Sequence, residues 1–127
     1  MKLAVCGAHL KGFPLHHQLE ERDAKLIWQG NTSSNYRFFA LLDSAIPKPG
    51  LIREERGHSI YVEVYELPSS EVGSFLDAIP FPLGLGKVEL ENGDWVTGFV
   101  CDRVQALAGE EISIYGSWKT YLETKKG

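Results

Sequence analysis

The segment "KVELENGDWVTGFV", residues 87–100, leaves this chain the least choice. Two runs of β-favouring residues flank Asn92-Gly93. That dipeptide favours positive φ at both central positions, as a type I′ hairpin turn requires, so an antiparallel pair is predicted. A second strong strand, "SIYVEVYEL" at 59–67, is stopped by Pro68 and predicted to be central in its sheet. "SSEVGSFLDAI" then reads as a helix capped by Ser69 or Ser70. Earlier strands are read at 3–6, at 24–28 and in "NYRFFALL" at 35–42. The last has Tyr36, Phe38, Ala40 and Leu42 on one face and Arg37, Phe39 and Leu41 on the other. Both faces are mostly apolar, which suits a central strand covered on both sides. "PKPGL" at 47–51 reads as a rigid loop. Short helices are read at 14–21, opened by Pro14, and in "RVQALA", closed by Gly109. "YGSWKTYL" ends on a helical turn that carries Trp118 and Tyr121. Strands interspersed with short helices predict an α+β fold. It is read as one domain over residues 1–127, a small mixed β-barrel with short peripheral helices. Closure of a barrel hides strand edges.

The net charge of −4 argues against nucleic acid as a partner. No apolar run approaches the roughly 18–20 residues that cross a bilayer, so no membrane partner is expected. The apolar run after Lys2 is too short for a signal peptide. Cys6 and Cys101 lack metal-ligand spacing and read as buried thiols of a reducing, cytoplasmic setting. No Gly-rich phosphate loop, His-Glu-x-x-His or Gly-x-Ser-x-Gly occurs, and no cofactor is expected. His16 and His17 are adjacent, point apart on a helix and make a poor metal pair, so no metal is expected either.

The loop "GAHLKG", residues 7–12, joins the first strand to the first helix. A glycine-rich strand-to-helix turn leaves backbone N–H groups unpaired, and the helix dipole favours an anion there. Two readings of His9 stand. In one it packs at the mouth of the core and bonds a backbone carbonyl. In the other its imidazole donates to a carboxylate or delivers a proton. A carboxylate would be held by the N–H groups of Gly7, Ala8, His9 and Leu10 and by the cation of Lys48 or Arg37. Lys48 stands on a stiff loop between two prolines, and Tyr36 and Arg37 begin a strand at an expected rim. Glu63 reads either as a solvent-facing residue beside Tyr61 and Tyr65, the preferred reading, or as a half-buried carboxylate needing a partner such as Arg37.

"LAVCGAHLKGFPLHHQL", "NYRFFAL", "PKPGLIR", "VEVYELP", "FLDAIPFPLGLGKVELENGDWVTGF" and "IYGSWKTYL", in this order, resemble the C-terminal domain of allophanate hydrolase over essentially the whole chain. The resemblance implies a fold similar to gamma-glutamyl cyclotransferase, with a pocket where the first strand meets its loop. Cyclotransferases carry a catalytic glutamate after the strand and helix matching "VEVYELPSSEVGSFLD". Here the chain continues Ala78-Ile79-Pro80, which argues against that activity. Allophanate hydrolases pair the domain with a Ser–Ser–Lys amidase that this chain does not contain, so it is not expected to hydrolyse allophanate by itself. The amidase product is N-carboxycarbamate, a malonate-like dianion. Two roles follow from the resemblance: promoting breakdown of that dianion, with His9 giving the proton and Tyr36 orienting the ligand, or serving as an assembly or binding partner of a separate amidase.

Overall fold

A computed structural model describes residues 1–126. Eight strands form in chain order: β1 (Lys2–Val5), β2 (Lys25–Asn31), β3 (Tyr36–Ala40), β4 (Pro49–Arg53), β5 (Tyr61–Glu66), β6 (Leu83–Glu89), β7 (Trp95–Cys101) and β8 (Glu110–Glu111). The helices are α1 (His17–Glu20), α2 (Val72–Asp77), α3 (Arg103–Ala108) and α4 (Trp118–Lys126). One sheet has the order β2-β5-β1-β7-β6 and a second the order β4-β3-β8. β1 runs antiparallel to β5 and parallel to β7, so the larger sheet is mixed. The α+β class and its short helices are as expected. The strands do not close into a barrel: Thr32 and Leu90, just beyond β2 and β6, bridge the two edges of the larger sheet at one point rather than along a continuous ladder, and Tyr36 of β3 bridges only to His58 in the loop before β5.

The hairpin forms, with β6 and β7 in antiparallel register from Leu83–Cys101 to Glu89–Trp95. Its turn differs from the expected type I′. Gly93 alone has positive φ, at 92°, its N–H donates to the Leu90 carbonyl at 3.0 Å, and Leu90 N–H donates to Asp94 at 2.8 Å. This is a three-residue loop with glycine in the left-handed position, which lets Asn92 keep ordinary φ while its side-chain oxygen takes Asp94 N–H at 2.9 Å. β5 lies inside its sheet between β2 and β1, as expected, and β3 is central in the smaller sheet.

Other boundaries moved. The stiff "PKPGL" loop becomes strand from Pro49 onward, since β4 is an edge strand and proline is tolerated at its first position. Neither Ser69 nor Ser70 caps α2. The two fall in a 3₁₀ turn, Ser69–Glu71, that leads into the helix without a side-chain cap. α1 is a single turn of 4 residues preceded by turns. α4 is longer than the one turn expected, and Trp118 packs on Tyr121 with ring centroids 5.5 Å apart.

The core lies between the sheets and under the helices. Val5, Phe38, Ile60, Val62, Phe75 and Ile112 are at most 1% exposed. No helix among the described residues is long and apolar enough to cross a membrane.

Candidate functional site

β1 ends at Val5 in the middle of the larger sheet, and residues 6–9 turn away from its end. The turn is closed by Leu10 N–H donating to the Gly7 carbonyl at 3.0 Å. Position 7 accepts only glycine, because a Cβ there would overlap the Pro49 ring of β4. The close approach puts Lys48, the residue before β4, opposite the turn. Gly7, Ala8, His9, Lys48, Ile79, Pro80 and Phe99 are among the residues that line a narrow cavity of about 20 Å³, space for about one water. Lys48, Pro80 and Leu83 are shared with a wider outer cavity of about 340 Å³, walled by residues 41–46 and 80–83. Lys48 therefore stands where the wide mouth narrows towards His9.

His9 is 8% exposed. Its ring stacks on Phe99 at 4.8 Å and meets Phe75 edge-on at 5.3 Å. Nε2 lies 2.8 Å from Oε1 of Gln18, so Nε2 carries the hydrogen and donates it. Nδ1 has no protein partner among the described residues. No fully buried side-chain nitrogen or oxygen there lacks one, so Nδ1 opens on the cavity. Burial drives the His9 pKa from 6.5 down to about 4. The Gln18 hydrogen bond opposes this, and the positive charge of Lys48, with His17 and His16, adds to it. At neutral pH the empty pocket thus presents a lone pair, not a standing acid. His9 packs at the mouth of the core, as one reading had it, but its ring bonds the Gln18 side chain rather than a backbone carbonyl. Its own carbonyl accepts from His16 Nδ1 at 3.0 Å, which steadies the turn.

Lys48 is half-buried, which pushes its pKa down, and no carboxylate lies within 4.0 Å of its ammonium among the described residues. It is the cation available to an anion in either cavity. The Cys6 thiol, also on the narrow cavity, is pushed up to about 12 by burial and stays protonated. No three His, Cys, Asp or Glu side chains among the described residues cluster to hold a metal.

The remaining sequence candidates separate from this pair. Tyr36 is 1% exposed, and its hydroxyl accepts Glu89 N–H at 2.8 Å, away from the cavity. Arg37, on the opposite face of β3, makes two bonds to Glu111, at 3.1 and 2.9 Å, and lies over the Phe39 ring at 5.0 Å. Leu10 is a core residue whose N–H is taken by Gly7. Gly7, Ala8 and His9 N–H groups have no backbone acceptor among the described residues, so the turn keeps three donors. No helix dipole adds to them, because α1 begins only at His17 and is one turn long.

Glu63 is buried at 7% exposure rather than facing solvent, and its partner is not Arg37. It accepts from Lys11 N–H at 3.0 Å, Tyr65 hydroxyl at 2.8 Å and Tyr61 hydroxyl at 3.0 Å. It pins the far end of the pocket turn from behind. Gln18, Phe75 and Phe99 are residues the sequence did not single out. Gln18 lies nine positions from His9 with no spacing rule to link them, and only the glutamine's place in the same quoted stretch, "LHHQL", drew near it.

The family described as the allophanate hydrolase C-terminal domain matches residues 1–123. The urea amidolyase of Lachancea kluyveri is 44% identical over 131 residues, which cover 99% of this chain and 7% of that protein. The chain therefore spans under a tenth of the length of that curated relative. Among solved structures, a Kluyveromyces lactis allophanate hydrolase superposes with a TM-score of 0.93 at 42% identity, over 98% of this chain and 21% of that one. A gamma-glutamyl cyclotransferase shares the fold alone, with a TM-score of 0.56 at 10% identity over 80% of this chain and 68% of that one.

Proposed function

Because this chain belongs to the family of allophanate hydrolase C-terminal domains, we propose that it binds a small dicarboxylate and promotes decarboxylation of N-carboxycarbamate during urea breakdown. The setting comes from relatives named urea amidolyase and allophanate hydrolase. The observation that carries the chemistry is the pairing of Lys48, free of carboxylates, with a nearly buried His9 whose Nδ1 opens on the same cavity.

One carboxylate of the dianion sits in the outer cavity against Lys48, and the rest reaches towards the Ala8 and His9 N–H groups. Two negative charges next to the ring reverse the balance that keeps His9 neutral, so the imidazole takes up a proton on Nδ1 as the ligand enters. The Nδ1 proton then passes to the nitrogen between the two carboxylates. The C–N bond breaks, its electron pair stays on nitrogen, and carbon dioxide leaves carbamate behind. Neutral His9 is regenerated. An amidase supplies the dianion.

Calorimetry with malonate tests this. Loss of one hydrogen bond to a charged group costs about 1.5–3 kcal/mol, so His9→Ala is expected to weaken malonate roughly tenfold to a hundredfold. Binding to wild type at pH 7 is accompanied by proton uptake, read from the dependence of heat on buffer ionisation. Equal affinity in wild type and His9→Ala overturns the site. A wild type that binds no dicarboxylate favours the second reading, an assembly module for a separate amidase. That reading is supported by Leu42 and Phe81, 61% and 74% exposed beside the outer cavity.

A further inference from the structure

We propose, resting on the dicarboxylate reading above, that Gln18 is a positioning residue for His9: it fixes the imidazole as the Nε2–H tautomer, so that Nδ1 alone meets the ligand. Gln18 Oε1 stands 2.8 Å from Nε2. The opposite tautomer would set two lone pairs against each other at that distance, inside a site where a missing hydrogen bond is costly. The ring has little room to escape by turning, because Phe99 stacks on one side and Phe75 meets it edge-on.

Gln18 is itself held. Its N–H donates to the Leu15 carbonyl at 3.0 Å, and its carbonyl accepts from Arg22 Nη1 at 2.9 Å. The Arg22 guanidinium lies 5.7 Å over the ring of Phe75. Arg22 and His9 thus pack on one buried aromatic, and the backbone that carries Gln18 is fixed on both sides.

The choice of an amide has a chemical effect. A neutral acceptor orders the ring without supplying a charge, so His9 stays unprotonated until an anion arrives. A carboxylate at position 18 would keep the ring charged in the empty pocket and sever protonation from ligand entry. The other charged groups acting on the ring are Lys48, His16 and His17, and the tests leave them unchanged.

The test is nitrogen-15 spectroscopy of the histidine rings in the full chain, without ligand. Wild type is expected to show His9 as the Nε2–H tautomer at pH 7. Gln18→Met is expected to show a mixture of both tautomers. Gln18→Glu keeps the tautomer and raises the His9 titration midpoint by about 1–3 units, the range for an adjacent opposite charge. A merely structural glutamine would leave the tautomer of a folded Gln18→Met and the midpoint of Gln18→Glu where wild type has them, and either result overturns the proposal. If Gln18→Met does not fold, the midpoint in Gln18→Glu decides alone. Failure of wild type to bind malonate would remove the dicarboxylate reading and leave these ligand-free readings intact, so the two failures are separable.

Discussion

His9 couples stability to pH in a definite direction. Its pKa is 6.5 when free and about 4 in the fold. Between these values the unfolded chain binds the proton and the folded chain does not, so stability is complete above pH 6.5 and falls as pH drops towards 4. The full loss is about 3 kcal/mol by the conversion of about 1.4 kcal/mol per unit. Urea titrations at pH 7 and pH 5 check it: His9→Gln is expected to lose less stability over that interval than wild type, and equal losses would count against a neutral, buried ring. His9 and Lys48 were legible because an unusual residue type stood at each strand-bordering turn. Tyr36 and Arg37 were not. Alternation assigns them to opposite faces of β3 but does not say that one face meets the core and the other a pair of glutamates. Glu63 misled for the same reason: its three donors come from β5 itself and from a turn more than fifty positions away, and nothing local announces them.

The β6–β7 turn shows what the sequence says about an element and what it omits. Asn92-Gly93 announced the hairpin, but the dipeptide serves more than one loop length. The observed loop makes a prediction that a type I′ turn does not. Gly93→Ala forces a side chain into positive φ and is expected to cost about 1–2 kcal/mol. Asn92→Ala loses one exposed hydrogen bond, and about 0.5 kcal/mol is expected. Comparable large losses at both positions in denaturant titrations would point back to positive φ at both. β4 was missed because prolines and glycine outweighed the "LIR" that follows them. Propensity registers the missing N–H of Pro49 but not that it lies at an edge where no partner needs it.

Over the whole molecule the class was readable and the closure was not. Local patterns mark strands, whereas the split into two sheets depends on which distant strands pair, and periodicity carries no information on that. Fold likeness also does not transfer chemistry. Ala78, Ile79 and Pro80 line the narrow cavity, and none of the three is titratable. Given a gamma-glutamyl amino acid, the protein is expected to release no 5-oxoproline above the uncatalysed background, followed by chromatography. Turnover lost in Glu63→Gln would show that the buried carboxylate had assumed that role.

β1 lies between β5 and β7, and the site hangs from its end. During synthesis β1 leaves the ribosome before β5 and β7, its two neighbours, which arrive only after residues 61 and 95 have been added. Until they do, β1 has neither neighbour to dock against and stays exposed to aggregation and to chaperones. Phe99, which stacks on His9, comes later than nearly every other part of the pocket. A nascent chain halted within the β6–β7 loop therefore has every residue of the "GAHLKG" turn but lacks the ring on which its histidine stacks.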